Sequence, residues 1–430
     1  MRRAIPFHDL PRNFQDALIV TRAFNIRYIW IDSLCIVQDS SNDWHTQSAR
    51  MGPVYSQALF VLAAAAGQNC YSGFLNGGNR DPGVAIDSRN ESIDNSFFVR
   101  RYPWVFDTYG GHCRFTKERT ALSTRGWAFQ EEMLARRLLA YSDEEMSWMC
   151  LETAFCECKS TPNTLNSVDS KRFINSTIKD NTTFSSIWIA LVQEFSRREL
   201  SFPSDRLPAF SGIAERVQSP TTGQYLAGIW SSYLFHGLAW AAGSKTPNRR
   251  YLRRKQNTES RRQPDGYAPS WSWASITGLV TFWSLTARYE PDWDISTKEV
   301  LFEPDQLNPY GTPKAASLKV TGRLREVELS AYLEDQWFLN GEDLIAMADV
   351  WHDGYNPMNQ PYYFLPFFHY EEDKLPETVS MKPRGYGVGL ILQRISEADT
   401  SYERVACVQL DKGKYADYKE ACKETAFTFV

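Results

Sequence analysis

Two acids, a thiol and an amide follow closely on an apolar run near the start of the chain. The run, residues 27–31, is β-branched and aromatic, which predicts a buried strand. Ligands bind at the carboxyl edge of parallel α/β sheets, so polar residues placed just after such a strand are candidates for a site. The candidates are Asp32 and Cys35 for catalysis, and Gln38 and Asp39 for ligand binding. The alternative is that both acids cap turns and that the thiol packs as a small hydrophobic group.

A second polar group lies on a predicted helix further along. On that helix Trp127, Gln130 and Glu131 share a face that is otherwise apolar, so we expect the carboxylate to be partly buried. A buried carboxylate needs a counter-charge or serves a function. Glu131 is therefore either an ion-pair partner of Arg125 or Arg137, or a catalytic acid whose pKa depends on its surroundings. As a set, Glu131 is a catalytic candidate, and Trp127, Gln130, Arg125 and Arg137 are candidates for ligand binding.

The sequence predicts no metal site and no certain cofactor. The cysteines and histidine that could be grouped are Cys150, Cys156, Cys158, His112 and Cys113. Only Cys156 and Cys158 are close together, whereas zinc ligands usually come in two pairs, each about two to four residues apart. The chain contains no GxxxxGK[ST], GxGxxG, HExxH or GxSxG sequence that would indicate the commonest nucleotide-binding, protease or esterase sites.

Composition indicates an intracellular globular protein. The chain has 430 residues, of which 43% are apolar and 23% charged, enough for two or three domains. A net charge of −4 gives no general attraction to nucleic acid, and the basic run at residues 249–262 is typical of an exposed loop. No run reaches the roughly 18 apolar residues of a membrane span, and a secretory signal is not evident. We therefore expect a cytoplasmic protein with no membrane or nucleic-acid partner.

Hydrophobic periodicity predicts an α/β fold in the first part of the chain. Helices at residues 11–24 and 44–58 alternate with apolar runs at 27–31 and 59–66, which favours a parallel sheet with right-handed crossovers. A helix over residues 123–137 and strands at 138–141 and 146–150 follow. We predict three parts, an α/β domain (1–160), a helical and mixed extension (161–285) and a mostly β region (286–430). Trp271 and Trp273 are expected to share the buried face of a strand, each indole N–H with an acceptor.

Three ordered sets of residues together resemble the heterokaryon incompatibility (HET) family of filamentous fungi. The first comprises residues 10–17, 27–39, 43–44 and 51–55, the second residues 122–131 with Arg137, and the third residues 203–214, 225–230 and 268–275. The third set is similar to the C-terminal extension of stand-alone members. Family members trigger programmed cell death after non-self recognition, so the resemblance implies that function here.

The resemblance also implies a TIR-like N-terminal fold. Some TIR proteins cleave NAD with a glutamate, which makes Glu131 the candidate for that role and NAD a candidate substrate. Gln130 would hold a ribose hydroxyl, and Asp32 and Cys35 would line the opposite wall. The chain departs from the family in two ways: it lacks the usual opening strand with its Ser-Tyr-x-Trp-Gly motif, and Glu132 stands where an arginine is more usual.

Three functions remain open at this point. The first is a cell-death or incompatibility effector, and the second is an enzyme on the same framework. That enzyme would either cleave NAD or be recruited to small-molecule biosynthesis in fungal secondary metabolism. The third is a non-enzymatic interaction module. A protein partner, self-association and a small-molecule ligand are all compatible with the sequence.

Overall fold

The computed structural model describes residues 4–75, 84–87, 96–99, 120–142, 146–157, 159–163, 166–175, 181–243, 262, 267–283, 291–333, 336–340, 342–348, 361–369, 386–396 and 400–430. Contacts divide the chain into two compact units, Met1–Ser176 and Thr177–Val430. The division into three parts stays a prediction. None of the described helices is both long and apolar enough to cross a membrane.

The first unit contains α1 (Arg12–Ala23), α2 (Asp32–Cys35), α3 (Ser41–Gln57), α4 (Gly126–Leu134) and α5 (Asn166–Asn175), after a 3-10 turn at Phe7–Asp9. Helix α1 follows Pro11, whose fixed φ suits a helix start, and buries Asp16, Ala17, Val20 and Thr21 on one face. Helix α3 begins after Ser40, whose hydroxyl caps it by accepting from the Asp43 backbone N–H at 3.2 Å. Both helices confirm the periodicity in the sequence.

The strands of the first unit are β1 (Val61–Ala64), β2 (Val84–Asp87), β3 (Ser96–Val99), β4 (Arg137–Tyr141), β5 (Met146–Cys150), β6 (Ala154–Cys156) and β7 (Lys159–Asn163). Strands β2 and β3 pair as an antiparallel hairpin, and the other five form a sheet in the order β1-β4-β5-β6-β7. Only β1 and β4 are parallel, with Val61 opposite Leu138. The predicted α/β class is confirmed, but the sheet is mixed, because only a few residues separate each of β4 to β7 from the next, too few for the crossover that a parallel pair needs.

Two expectations about elements in this unit are wrong. Residues 27–31 form no strand; they connect α1 to α2 without regular secondary structure, and Tyr28 is 81% exposed. A β-branched and aromatic run favours extended backbone, but a strand also needs a neighbouring chain with free hydrogen-bonding groups. The helix predicted over 123–137 is shorter, because Ala135 leaves helical geometry (ψ 120°) and Arg137 already begins β4.

The core of the first unit lies on both faces of its sheet. Alternate residues of a strand point to opposite faces, so β1 contributes Val61 and Ala63 to one cluster and Leu62 and Ala64 to the other. The first cluster is built on Ala135, Leu138, Met149 and Ala154, and the second on Ala17, Val20, Ala66, Phe74 and Leu139. Strand β1 is therefore apolar on both faces.

The second unit contains α6 (Asn181–Ser196), α7 (Pro208–Val217), α8 (Leu234–Leu238) and α9 (Lys412–Glu420), with 3-10 turns at Pro203–Asp205, Ser231–Tyr233 and Trp273–Ser275. Its first strands are β8 (Tyr225–Leu226), β9 (Ile229–Trp230), β10 (Trp240–Ala242) and β11 (Val280–Phe282), which form two antiparallel pairs. Helix α7 starts with Pro208 and is buried along most of its length.

The rest of the second unit is mostly β, as predicted. Its strands are β12 (Asp292–Trp293), β13 (Ser296–Glu303), β14 (Ala315–Val327), β15 (Leu329–Leu333), β16 (Gln336–Leu339), β17 (Glu342–Ala348), β18 (Tyr362–His369), β19 (Tyr386–Arg394), β20 (Ser401–Asp411) and β21 (Lys423–Phe429). They form one sheet in the order β12-β18-β14-β21-β20-β17-β16-β15, with β13 paired to β14 and β19 paired to β18 and β20. Its pairs are antiparallel except β20 with β21.

Trp271 and Trp273 are fully buried, which confirms their structural role, but they do not lie on a strand. They occupy a turn and the 3-10 helix that follows it. The indole N–H of Trp273 donates to the Gly228 carbonyl at 2.9 Å. For Trp271 the expected acceptor is absent from the described residues, and its own carbonyl accepts from the indole of Trp240 at 2.8 Å. Ser272 is buried as well, because the turn encloses a residue that a strand would place on the opposite, exposed face. Its hydroxyl donates to the Ala227 carbonyl at 2.6 Å.

Candidate functional site

Three of the predicted site residues converge on the hydroxyl of Tyr55. This hydroxyl donates a hydrogen bond to the carboxylate of Glu131, and Asp32 and Arg125 act on it electrostatically. Asp32 is the first residue of α2, and Tyr55 lies in the C-terminal part of α3. Arg125 is the N-cap of α4, and Glu131 lies within that helix. Packing of α3 against α4 brings them together. The sequence thus identified Asp32, Arg125 and Glu131, and only the fold placed them in one site.

Tyr55 was missed as a site residue, although it lies in the helix predicted over residues 44–58. The signal that could have identified it is chemical, because a buried tyrosine hydroxyl needs a hydrogen-bond partner. Burial raises the pKa of Tyr55 well above its ordinary value, the nearby carboxylates of Glu131 and Asp32 raise it further, and Arg125 lowers it. Tyr55 is therefore a protonated donor at physiological pH, and it cannot act as a base there.

Two aromatic pairs connect the elements that carry these residues. The ring of Trp30 meets that of Tyr55 edge to face, with centroids 5.7 Å apart, and Trp44 of α3 meets Trp127 of α4 in the same way at 6.3 Å. Such edge-to-face pairs contribute about 0.5–1.5 kcal/mol beyond their buried area. The two aromatic contacts join α3 to α4 and to the segment at residues 27–31.

Most of the residues in and just after α2 are exposed, although Ile36 is buried. Asp32 is half-buried, and its carboxylate accepts from the Ser33 backbone N–H at 2.7 Å. The side chain of Gln38 donates to the carbonyls of Ile36 at 3.0 Å and Asp32 at 3.4 Å, which ties the chain after α2 back to its first residue. Cys35 and Asp39 are exposed on the same short segment. The thiol of Cys35 is therefore accessible to solvent. The alternative that this thiol packs in the core as a small hydrophobic group is wrong.

Gln130 and Arg137 lie apart from the solvent-accessible part of the site. Gln130 is 0% exposed, so it faces the interior of the unit, whereas the neighbouring Glu131 is half-buried. Arg137 is exposed at the start of β4 and donates to the carbonyl of Leu59 at 3.3 Å. Of the two arginines proposed as partners of Glu131, Arg125 is the one that lies near the Tyr55–Glu131 pair.

A second carboxylate on α4, Glu132, lies near a buried lysine. Lys171 of α5 is 0% exposed, and its amine has no hydrogen-bond partner among the described residues. Burial lowers the pKa of Lys171 from 10.5 to about 8, and the charges of Glu132 and Cys150 partly oppose this effect. The unusual acid noted at position 132 thus has a cation on the neighbouring helix as its electrostatic partner.

Potential metal ligands do not cluster in the part of the chain that the structure describes, where no group of three or more His, Cys, Asp or Glu side chains has suitable geometry. Cys158, His112 and Cys113, which the sequence grouped with other cysteines, lie outside the described residues.

The first unit is thus an α/β domain with a carboxylate site built by two packed helices and a short helical turn. Residues 2–131 match the family model described as heterokaryon incompatibility protein (HET), which confirms the resemblance found in the sequence. This N-terminal segment is therefore similar to a HET domain, and it includes Asp32, Arg125 and Glu131, which act on Tyr55. Searches of curated proteins and of solved structures give no match to the chain.

Proposed function

We propose that this protein is a cytoplasmic incompatibility effector that triggers programmed cell death through its HET domain. The match of residues 2–131 to the HET family supports the proposal. The observation that carries it is the Tyr55–Glu131 hydrogen bond beside Asp32 and Arg125, inside the matched segment. The hydrogen bond from Tyr55 gives the Glu131 carboxylate a defined position between the charges of Asp32 and Arg125. The carboxylate is also half-buried, so solvent or a ligand can reach it.

Forced expression in a filamentous fungus tests this proposal. The wild-type chain should stop growth and kill cells, whereas Glu131→Gln should not, because the amide still accepts from Tyr55 but carries no charge. The matched control is Glu152→Gln, an exposed acid of the β5–β6 turn, which should kill like the wild type. Thermal melting must show that Glu131→Gln is folded. Normal growth at confirmed levels of wild-type protein would overturn the proposal.

Cleavage of the N-glycosidic bond of NAD is the second candidate. The favouring observation is the half-buried carboxylate of Glu131 with Trp30 and Trp127 nearby, because a carboxylate beside a sugar stabilises an oxocarbenium-like transition state. In this mechanism Tyr55 holds the carboxylate in place, and the aromatic rings limit water. Purified protein should release nicotinamide from NAD, and Glu131→Gln should reduce the rate at least about 100-fold. Protein that neither binds nor consumes NAD would exclude this candidate.

A biosynthetic enzyme and a non-enzymatic interaction module predict other outcomes in the same experiments. A biosynthetic enzyme would leave the cells alive and NAD intact. An interaction module would act without the Glu131 charge, so the Glu131→Gln variant would kill cells as effectively as the wild type.

A further inference from the structure

A cavity of about 570 Å³ lies within the second unit, between α9 and the junction of β14 with β15. This volume falls in the range of small-molecule sites, roughly 300–1,000 Å³. The residues that line the cavity all belong to the part of the chain that the structure describes. Most of them are charged, so the cavity suits a small charged molecule: Arg325, Glu326, Glu328, Lys414 and Asp417.

Asn340, which directly follows β16, connects the two walls of the cavity. Its side-chain carbonyl accepts from the Glu328 backbone N–H at 2.9 Å, and its own backbone N–H donates to the Glu328 carbonyl at 2.8 Å. Its side-chain amide donates to the hydroxyl of Tyr418 on α9 at 3.1 Å. The φ of Asn340 is 51°, a left-handed conformation that asparagine adopts more readily than most residues. The cavity is therefore formed by fixed contacts before any ligand enters.

Arg325 of β14 is held over the ring of Tyr418, with its guanidinium carbon 5.2 Å from the ring centre. The side chain is half-buried and lies on the same face of β14 as the buried Val327. A cation in such a position normally pairs with a carboxylate. Among the described residues, however, Arg325 forms no ion pair. Its fork of N–H donors can therefore bind a carboxylate supplied by a ligand.

Acidic side chains outnumber basic ones around Arg325. Glu326 and Glu328 are exposed on the β14 side of the cavity, and Asp417 is exposed on the α9 side. Lys414 precedes Asp417 by three residues and shares its face of the helix. Two cations and three carboxylates thus line the cavity, which gives it a net charge of about −1. A molecule that balances this charge carries one more positive group than negative groups.

We propose that this cavity binds a free basic α-amino acid, arginine or lysine. Such a ligand carries two positive groups and one carboxylate, so its net charge is opposite to that of the cavity. Arg325 binds the ligand's carboxylate, and Asp417, Glu326 and Glu328 bind its two cations. A ligand with negative groups alone fits less well, because the three carboxylates repel it. The cavity lies outside residues 2–131, so this inference is independent of the proposed function.

Isothermal titration calorimetry on the whole protein tests the proposal with L-arginine as the probe. The comparison ligands are agmatine, which lacks the carboxylate, and L-citrulline, whose side chain is uncharged. L-arginine should bind, and both comparison ligands should bind at least roughly 10-fold less tightly. The variants Arg325→Gln and Asp417→Asn should each weaken the binding of L-arginine roughly 10-fold or more, because each removes one charged partner of the ligand.

The matched control is Arg323→Gln, which removes the charge of an exposed arginine of β14 that does not line the cavity. This variant should bind L-arginine like the wild type, and thermal melting should show that all three variants are folded. No binding of L-arginine at about 10 mM, or equal affinity for agmatine, would overturn the proposal. Equal affinity for N-acetyl-L-arginine would also overturn it, and would identify the C-terminal residue of a peptide as the ligand instead.

Discussion

The hydroxyl of Tyr55 on α3 donates a hydrogen bond to the carboxylate of Glu131 on α4, and so joins two helices that are far apart in the sequence. A hydrogen bond to a charged acceptor is stronger than a neutral one, and it also fixes the rotamer of the carboxylate. The position of Glu131 therefore depends on α3 as much as on its own helix.

Replacing Tyr55 with Phe should destabilise the protein by about 1.5–3 kcal/mol at neutral pH, because a partly buried carboxylate loses its donor. The pKa of Tyr55 is raised above 10.0 in the folded state, so above pH 10.0 the unfolded chain loses its proton first and wild-type stability falls. The fall should be smaller in Tyr55→Phe but not absent, because burial also raises the pKa values of Tyr225, Tyr310, Tyr402 and Tyr415. Urea denaturation at several alkaline pH values measures both effects, and an unchanged alkaline dependence in the variant would contradict the assignment.

Lys171→Met should stabilise the first unit at neutral pH. The pKa of Lys171 is lowered from 10.5 to about 8, so between these values the unfolded chain binds more protons and wild-type stability rises with pH. Below about 8 both states are protonated, and the full cost of burying the charge, on the order of 3 kcal/mol, is present. The variant should remove the rise. The exposed Lys298→Met serves as control, and a less stable Lys171→Met protein at neutral pH would refute the prediction.

Asp16→Ala should cost on the order of 3 kcal/mol, because two donors lose their acceptor in the core. The carboxylate of Asp16 is 0% exposed and accepts from the backbone N–H groups of Phe74 at 2.8 Å and Leu75 at 3.1 Å. It also pairs with Arg12 at 3.2 Å. The exposed Asp9→Ala is the control and should change the urea midpoint little. A similar loss in both variants would show that the buried contacts of Asp16 contribute little.

Trp273→Phe should cost about 1 kcal/mol more than Trp271→Phe, since both rings are fully buried but only Trp273 donates a hydrogen bond from its indole among the described contacts. The Gly228 carbonyl keeps a second donor in Trp188 at 3.1 Å, which limits the difference. Alanine at either position should cost about 3–5 kcal/mol. Thermal melting of the four variants checks this order, and equal costs for the two Phe variants would contradict it.

Several elements were predictable because their signal is local. The helices α1 and α3 and the strands β4 and β5 follow from side chains that are close together in the sequence. The candidate residues Asp32, Arg125 and Glu131 were also identified locally, as polar groups beside apolar runs. Their local context indicated that they were unusual, but not which of them meet.

The sequence by itself determined the α/β class of the first unit, the mostly β character of the C-terminal region and the resemblance confirmed by the HET match. Only the tertiary structure decided that residues 27–31 form no strand and that Tyr55 donates to Glu131. The reason is physical: helix formation depends on neighbours along the chain, whereas strand pairing and buried hydrogen bonds depend on groups that folding brings together from distant positions.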